Sequence, residues 1–172
     1  SAFVTNAAGA TIGITGHTSN VTNVNGGLIL ITGNENTITS NAGKVWMSGK
    51  SSTVTNANGG DIYISGLTNS VTNAAGGRIF VTGHNYTIDT INGTLNATGK
   101  NITVTTASST VNISGGNGCT NTVTTANGKV VITGGANTVT TANGTVYASG
   151  INTITTASDR VSMSGINTIT TA

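Results

Sequence analysis

The sequence predicts an all-β fold, a two-sheet parallel β-solenoid (β-helix) of about ten to eleven coils with 15–19 residues per coil. Two repeating motifs lead to this prediction. A Val or Ile that Thr usually follows recurs along the whole chain, and between these sites stands a second motif, apolar-x-apolar-Ser/Thr-Gly. The first motif is centred on Val4, Val21, Ile38, Val54, Val71, Ile88, Val104, Val123, Val139, Ile154 and Ile169.

Each repeat therefore holds two short strands. Both motifs alternate with period two and are rich in Val, Ile and Thr, as β-strands are. Turns such as Asn58-Gly59-Gly60 supply residues that accept positive φ angles at a tight corner. The longest repeat contains an insertion at 116–119, and length changes confined to turns are expected of stacked coils. We treat 1–172 as a single repeat domain.

Period-two alternation also predicts the interior. The Val/Ile row should face the apolar residues of the second motif across a thin core. We expect the small residue three positions after each Val to close a corner of the coil, as at Ala57, Ala74, Ala126, Ala142 and Ala157. We also expect an inward or corner ladder of stacked asparagines, formed by Asn36, Asn69, Asn121, Asn137, Asn152 and Asn167.

The residues that flank each inward Val or Ile should point outward, where they form two columns of threonine. We call the following seventeen residues the Thr array: Thr22, Thr37, Thr39, Thr53, Thr55, Thr72, Thr87, Thr103, Thr105, Thr122, Thr124, Thr138, Thr140, Thr153, Thr155, Thr168 and Thr170. Phe3, Asn20, Ser70 and Asp89 interrupt the two columns, and Asp89 is their only charged member.

The second sheet should present a different outer face. Trp46, Tyr63 and Phe80 fall on three successive coils, and five of the ten charged residues share this sheet. Charge is thus nearly absent from one face of the rod and ordinary on the other.

Composition excludes several classes of function. Charged residues make up 6% of the chain and the net charge is +2, which is too little for a nucleic-acid stripe or a polybasic membrane patch. The longest apolar run, 28–31, is far shorter than a membrane span. We therefore expect neither nucleic acid nor a membrane as a partner.

Catalytic and metal-binding motifs are also missing from the sequence. His17 and His84 should lie four coils apart, too far to share a metal ion, and Asp61 and Asp89 should lie on opposite sheets. No phosphate-binding or calcium-binding repeat is present. Cys119 cannot form an internal disulfide and is expected to be an exposed or semi-buried thiol. We expect no enzyme, no cofactor and no metal.

The Thr-x-Thr pattern resembles the β-solenoid antifreeze (ice-binding) proteins of insects and, more loosely, the Asn-rich solenoid of cold-hardy grasses. The resemblance implies a secreted protein that adsorbs to ice or ordered water through the Thr array, because in those families the array spacings approximate repeats of the ice lattice. The chain departs from the insect pattern in two respects. The insect proteins often link coils by disulfides, which a single cysteine cannot do, and Asn20 and Asp89 interrupt the array.

Two other functions stay open. The sequence opens and closes within a repeat and shows no amphipathic or charged cap, so coils could stack end to end in a structural filament, a fibre or an adhesin. The aromatic ladder Trp46–Tyr63–Phe80 could bind a carbohydrate, although packing of neighbouring aromatic residues across coils is the preferred explanation.

Overall fold

The protein winds as a parallel β-solenoid of about ten turns with roughly 16 residues per coil. The computed structural model describes residues 2–6, 9–23, 26–73 and 75–171, without the side chains of 6, 91, 142 and 157–159. All regular structure in these ranges is β. The strands are β1 (Phe3–Asn6), β2 (Thr11–Thr15), β3 (Asn20–Asn23), β4 (Leu28–Thr32), β5 (Thr37–Ser40), β6 (Lys44–Lys50), β7 (Thr53–Asn56), β8 (Asp61–Leu67), β9 (Ser70–Asn73), β10 (Arg78–Ser114) and β11 (Thr120–Thr171).

The strands form two ladders that correspond to the two sequence motifs. Strands β1, β3, β5, β7 and β9 pair in order, and so do β2, β4, β6 and β8. Both ladders continue into β10, which pairs with β11, and these two long strands pass through successive coils without a break. Every pairing is parallel, and the registers place equivalent residues of successive coils side by side, for example Val21 beside Ile38 and Ile38 beside Val54.

The core is the predicted double row of aliphatic side chains. The Val/Ile row is buried from Val21 to Ile154, and the facing row includes Ile29, Ile62 and Val111, which are also fully buried. Burial alternates along the strands, as in β5, where Thr37 and Thr39 are exposed and Ile38 and Ser40 are buried. The two-sheet solenoid predicted from the sequence is therefore confirmed.

The predicted asparagine ladder occupies one inner corner. Asn36, Asn69, Asn121, Asn137 and Asn152 are each at most 2% exposed, and Asn167 on the last described coil is exposed. Asn121 donates from Nδ2 to Asn137 Oδ1 (3.2 Å), and Asn137 donates in turn to Asn152 Oδ1 (3.0 Å). The remaining positions of this column are Ser19, Ser52, Tyr86 and Ile102, all buried.

Tyr86 adapts this column to a larger side chain. Its hydroxyl donates to the Thr82 carbonyl (3.1 Å) and accepts from Asn69 Nδ2 (3.4 Å). Burial raises the pKa of this hydroxyl above its ordinary value. The polar column thus stays connected to Asn69 at the coil where Tyr86 replaces asparagine.

The opposite corner is closed differently from the prediction. Ala57 and Ala126 are exposed, so they do not close it, and Ala74 and the side chains of Ala142 and Ala157 lie outside the description. The corner is filled by the residue one position earlier, because alternation continues for one more residue before the turn. This buried polar column, which the sequence analysis missed, contains Asn23, Ser40, Asn56, Asn73, Thr90, Thr106, Thr125, Thr141 and Thr156.

Tight stacking at the corners selects particular backbone conformations. Six non-glycine residues adopt φ angles of 54–60° at equivalent positions: Thr18, Glu35, Ser51, Thr68, Asn85 and Asn101. A neighbouring column of glycines lies directly on the preceding coil, where a Cβ on Gly49 or Gly99 would overlap the carbonyl oxygen of Gly33 or Gly83. Only glycine allows this approach between backbones.

Cys119 is the second correction to the sequence analysis. It is buried (1% exposed) and free, not exposed or semi-buried. The insertion returns the chain to the coil at this residue: the Cys119 carbonyl accepts from the Ala136 amide (2.7 Å), and its side chain turns inward beside Gly115.

The asparagine ladder yields a stability prediction. Asn137→Ala should lower the free energy of unfolding by about 2 kcal/mol or more, because Asn121 Nδ2 and Asn152 Oδ1 each lose a buried partner. Denaturant unfolding measures the change. Asn117→Ala, at an exposed position in the insertion, is the control and should stay within about 0.5 kcal/mol of the parent. Equal stability of the two variants would contradict a stabilising role for the ladder.

Candidate functional site: the threonine face

The first ladder places the Thr array on one outer face of the solenoid. None of its seventeen residues is buried: thirteen are exposed, and Thr22, Thr55, Thr72 and Thr122 are partly exposed. From Thr22 to Thr155 each array residue neighbours a buried Val or Ile in its strand, so its orientation is fixed by the core residue beside it. Thr168 and Thr170 instead flank Ile169, which is 50% exposed.

The strand registers align the two columns. Thr22, Thr39, Thr55 and Thr72 are consecutive partners across β3, β5, β7 and β9. Further along, Thr103 pairs with Thr122 and Thr105 with Thr124 across β10 and β11. Parallel strands lie ~4.7–4.9 Å apart, and alternate residues of one strand are ~6.6–6.8 Å apart. The array is therefore a two-dimensional grid of methyl and hydroxyl groups with two fixed repeats.

The threonine side chain suits such a grid. It is branched at Cβ, which restricts χ1, so neighbouring threonines of one column can repeat the same orientation of methyl and hydroxyl. Each group can donate and accept a hydrogen bond without carrying a charge. The face thus offers water a regular pattern of polar and apolar sites.

Exposed alanines border the grid. Ala57, Ala107 and Ala126 follow the buried polar column and point to solvent, so they form a third outward position beside the second threonine column. They add small methyl groups where larger side chains would stand above the threonines. Their outward position could be predicted from the sequence, because each alanine lies three residues after a buried Val and an odd spacing in a strand places two side chains on opposite faces. The prediction from the sequence instead places Ala57 and Ala126 at the corner of the coil.

The interruptions in the grid are local. Asn20 lies between Phe3 and Thr37 in one column, and Ser70 follows Thr53 in the same column. Asp89 is the register partner of Thr72 and is exposed. From Thr103 to Thr170 both columns are threonine on every coil, which makes this half of the face the most regular.

The opposite face carries the aromatic ladder and five of the ten charged residues. The Tyr63 and Phe80 rings are stacked, with centroids 4.9 Å apart and planes 4° from parallel, and Trp46 is tilted against Tyr63 at 5.3 Å. Tyr63 and Phe80 stack face to face and Trp46 packs at an angle against Tyr63, so the rings pack across coils, which is the explanation that the sequence favours.

An ion pair borders the aromatic ladder. Arg78 Nη2 lies 2.6 Å from Asp61 Oδ2, and Arg78 Nε donates to Asp61 Oδ1 (3.0 Å). Hydrogen bonding to this guanidinium lowers the pKa of the Asp61 carboxyl below its ordinary value of 3.8. The pair joins β8 to β10 on the exterior and is solvent-accessible at Arg78.

Groups for metal chemistry do not converge in the described ranges. No cluster of three or more His, Cys, Asp or Glu side chains there could hold a metal ion. His17 is exposed in a bend and accepts at Nδ1 from the Asn34 amide (3.3 Å), whereas His84 is exposed within β10 beside Leu67. The described residues also contain no helix that is long and apolar enough to cross a membrane.

No family model matches the chain, and comparison with curated proteins and with solved structures finds no significant match.

The ion pair on the second face yields a pH prediction. Because the folded-state pKa of Asp61 is lowered, the pair contributes stability above the unfolded-state pKa, and this contribution disappears as the pH falls through the folded-state value. Arg78→Gln should raise the Asp61 pKa towards 3.8, as measured by NMR titration of the carboxyl carbon. Arg160→Gln is the matched control and should leave the Asp61 pKa unchanged. An unchanged Asp61 pKa in Arg78→Gln would contradict the assignment.

Proposed function

We propose that the protein binds ice through the Thr array. The observation that carries the proposal is the alignment of outward threonines in two in-register columns on one ladder, with a single charged residue among them. Such a grid can order a layer of water whose repeats follow the grid, with water held by the hydroxyls and confined around the methyls. The ordered layer then joins the surface of an ice crystal.

The distribution of charge supports this proposal. A charged side chain orients water strongly around itself, which disturbs a repeating layer. The two array columns contain only Asp89, whereas Lys44, Asp61, Arg78, Lys129 and Arg160 all stand on the second sheet. The face best suited to ordered water is thus the face with the fewest ions.

The scaffold supports it as well. From Thr22 to Thr155 the array residues alternate with buried Val and Ile, and neighbouring coils are hydrogen-bonded through parallel backbone pairing. Little conformational freedom remains to be lost when the face meets a surface, so binding is not opposed by a large ordering entropy. The exposed alanines at 57, 107 and 126 extend this face with side chains that are no larger than threonine.

Steric disruption of the face is the first test. Thr124→Tyr and Thr140→Tyr should each remove most of the thermal hysteresis and the shaping of ice crystals, because one large side chain holds the grid away from the ice. Thermal hysteresis of the purified variants measures the effect. Thr145→Tyr makes the same substitution at a partly exposed position on the second sheet and should retain full activity. An inactive parent protein, or loss of activity in Thr145→Tyr alone, would refute the proposal.

Repair of an interruption is the second test. Asp89→Thr removes the one charge from the array and extends the column that contains Thr72. The variant should show greater thermal hysteresis than the parent at equal concentration. Glu35→Thr, at an exposed turn position, removes a charge of the same sign outside the array and should leave activity unchanged. Equal gains in both variants would indicate a general charge effect.

End-to-end assembly into a fibre stays the second hypothesis. Ile169 continues the inward Val/Ile row and is 50% exposed on the last described coil. A further coil, from the same polypeptide or from another copy, would cover this side chain. Concentration-dependent sedimentation distinguishes the two functions, because ice binding by the Thr array requires no polymer.

A further inference from the structure

A second column of hydroxyl groups runs along the other face of the rod. It is formed by the Ser or Thr that precedes glycine in the second sequence motif, and all ten residues are exposed: Thr15, Thr32, Ser48, Ser65, Thr82, Thr98, Ser114, Thr133, Ser149 and Ser164. Strand register aligns them, since Thr32, Ser48, Ser65 and Thr82 are successive partners across β4, β6, β8 and β10. We call this set the hydroxyl column.

Larger side chains form a parallel wall two residues earlier on eight of these ten coils; Gly13 and Ser162 occupy the position on the other two. The wall begins with Leu30 and the aromatic ladder, and it continues with Asn96, Asn112, Val131 and Tyr147. The stacked rings make its first part continuous. Its middle part is joined by a hydrogen bond from Asn112 Nδ2 to Asn96 Oδ1 (3.0 Å).

A groove lies between the wall and the hydroxyl column. Three hollows follow one another along it, spanning 30–82, 96–133 and 131–164, and the last two share Val131 and Thr133. The first hollow has a volume of about 390 Å³, within the range of ligand-binding clefts. Nine coils contribute to the three hollows, which together extend over roughly 40 Å at ~4.7–4.9 Å per coil.

The lining residues of the groove carry no charge. All are aliphatic, aromatic, amide or hydroxyl residues; the column that contains Lys44, Asp61 and Arg78 stands on the far side of the wall, and Lys50 and Lys100 stand beyond the hydroxyl column on the other side. A nucleic acid or an acidic polymer would find no cation in the groove to pair with. An acyl chain would leave the hydroxyl column without partners.

We propose that this groove binds a neutral polysaccharide that lies along the solenoid axis. Such a chain has apolar C–H surfaces and a regular series of hydroxyl groups, which match the wall on one side and the hydroxyl column on the other. Both the ligand and the site repeat along one direction, so contacts accumulate with ligand length. The site is separate from the Thr array and does not depend on ice binding.

Two aromatic residues anchor the proposed ligand. Trp46 is 51% exposed in the first hollow and Tyr147 is 38% exposed in the last. They stand six coils apart, which corresponds to roughly 28–29 Å. Lys129 Nζ lies over the Tyr147 ring, 5.5 Å from its centroid. An extended oligosaccharide can reach both anchors.

Affinity electrophoresis in gels that contain soluble neutral polysaccharides tests the proposal. The probes are hydroxyethyl cellulose, xyloglucan and galactomannan, with alginate as the anionic comparison. We expect at least one neutral polymer to retard the parent protein and alginate not to retard it. Retardation should decrease several-fold in Trp46→Ala and in Tyr147→Ala, and it should persist in Thr124→Tyr.

A blocking variant keeps the test decisive if removal of an anchor unfolds the chain. Ser65→Trp places a large side chain in the first hollow without deleting any existing contact of the wall. It should abolish retardation while thermal hysteresis remains at the parent level. The proposal is overturned if no neutral polymer retards the parent, if alginate retards it equally, or if Ser65→Trp still binds. A parent dimer that becomes monomeric in Ser65→Trp would assign the groove to self-association and overturn it as well.

Discussion

In-register parallel pairing of successive coils is the constraint on which the rest of the structure depends. Each coil contributes one strand to each ladder, and backbone hydrogen bonds place every residue beside its equivalent in the next coil. A residue type that recurs once per repeat therefore forms a column along the rod. In-register pairing produces four such columns or sets of columns: the aliphatic core, the asparagine ladder, the Thr array and the hydroxyl column. Because contacts are made almost entirely between neighbouring coils, the stability of the rod is set by those interfaces.

The interior is unusual in the amount of polar surface that it contains. Two aliphatic rows are flanked by a polar column at each corner. The two columns differ in how their side-chain donors and acceptors are paired. The asparagine ladder exchanges side-chain hydrogen bonds between coils, as between Asn137 and Asn152. In the other column, Asn56 and Asn73 have no side-chain hydrogen-bond partner among the described residues, although both are at most 1% exposed. Burying unpaired amides is costly, so the ladder and the backbone pairing must supply much of the stabilisation of a core this narrow.

Much of the fold followed from the sequence because period and burial coincide in a solenoid. The Val/Ile row, the outward threonines and the asparagine ladder could be assigned from spacing alone, and the structure places each of them accordingly. The errors arose where strands end. Ala57 and Ala126 were assigned inward because small residues suit corners, but alternation continued past the strand and gave the corner to the preceding polar residue. The burial of Cys119 could not be predicted, because it depends on the path of an insertion that has no counterpart in other coils. The axial groove was also missed, because it requires knowledge of which side chains rise above the sheet and which stay low.

The glycine column also determines how such a molecule can change its size. Gly33, Gly49, Gly66, Gly83 and Gly99 each rest on the backbone of the winding before them, with no room for a side chain. Successive members are 16 or 17 residues apart, so a turn can absorb one residue, but a shift of register at the contact itself would place a bulkier neighbour there. Duplication or loss of one entire repeat keeps each of these glycines in contact with a glycine of the preceding coil. Growth by complete repeats therefore lengthens both outer faces together and leaves their lattice spacings unchanged.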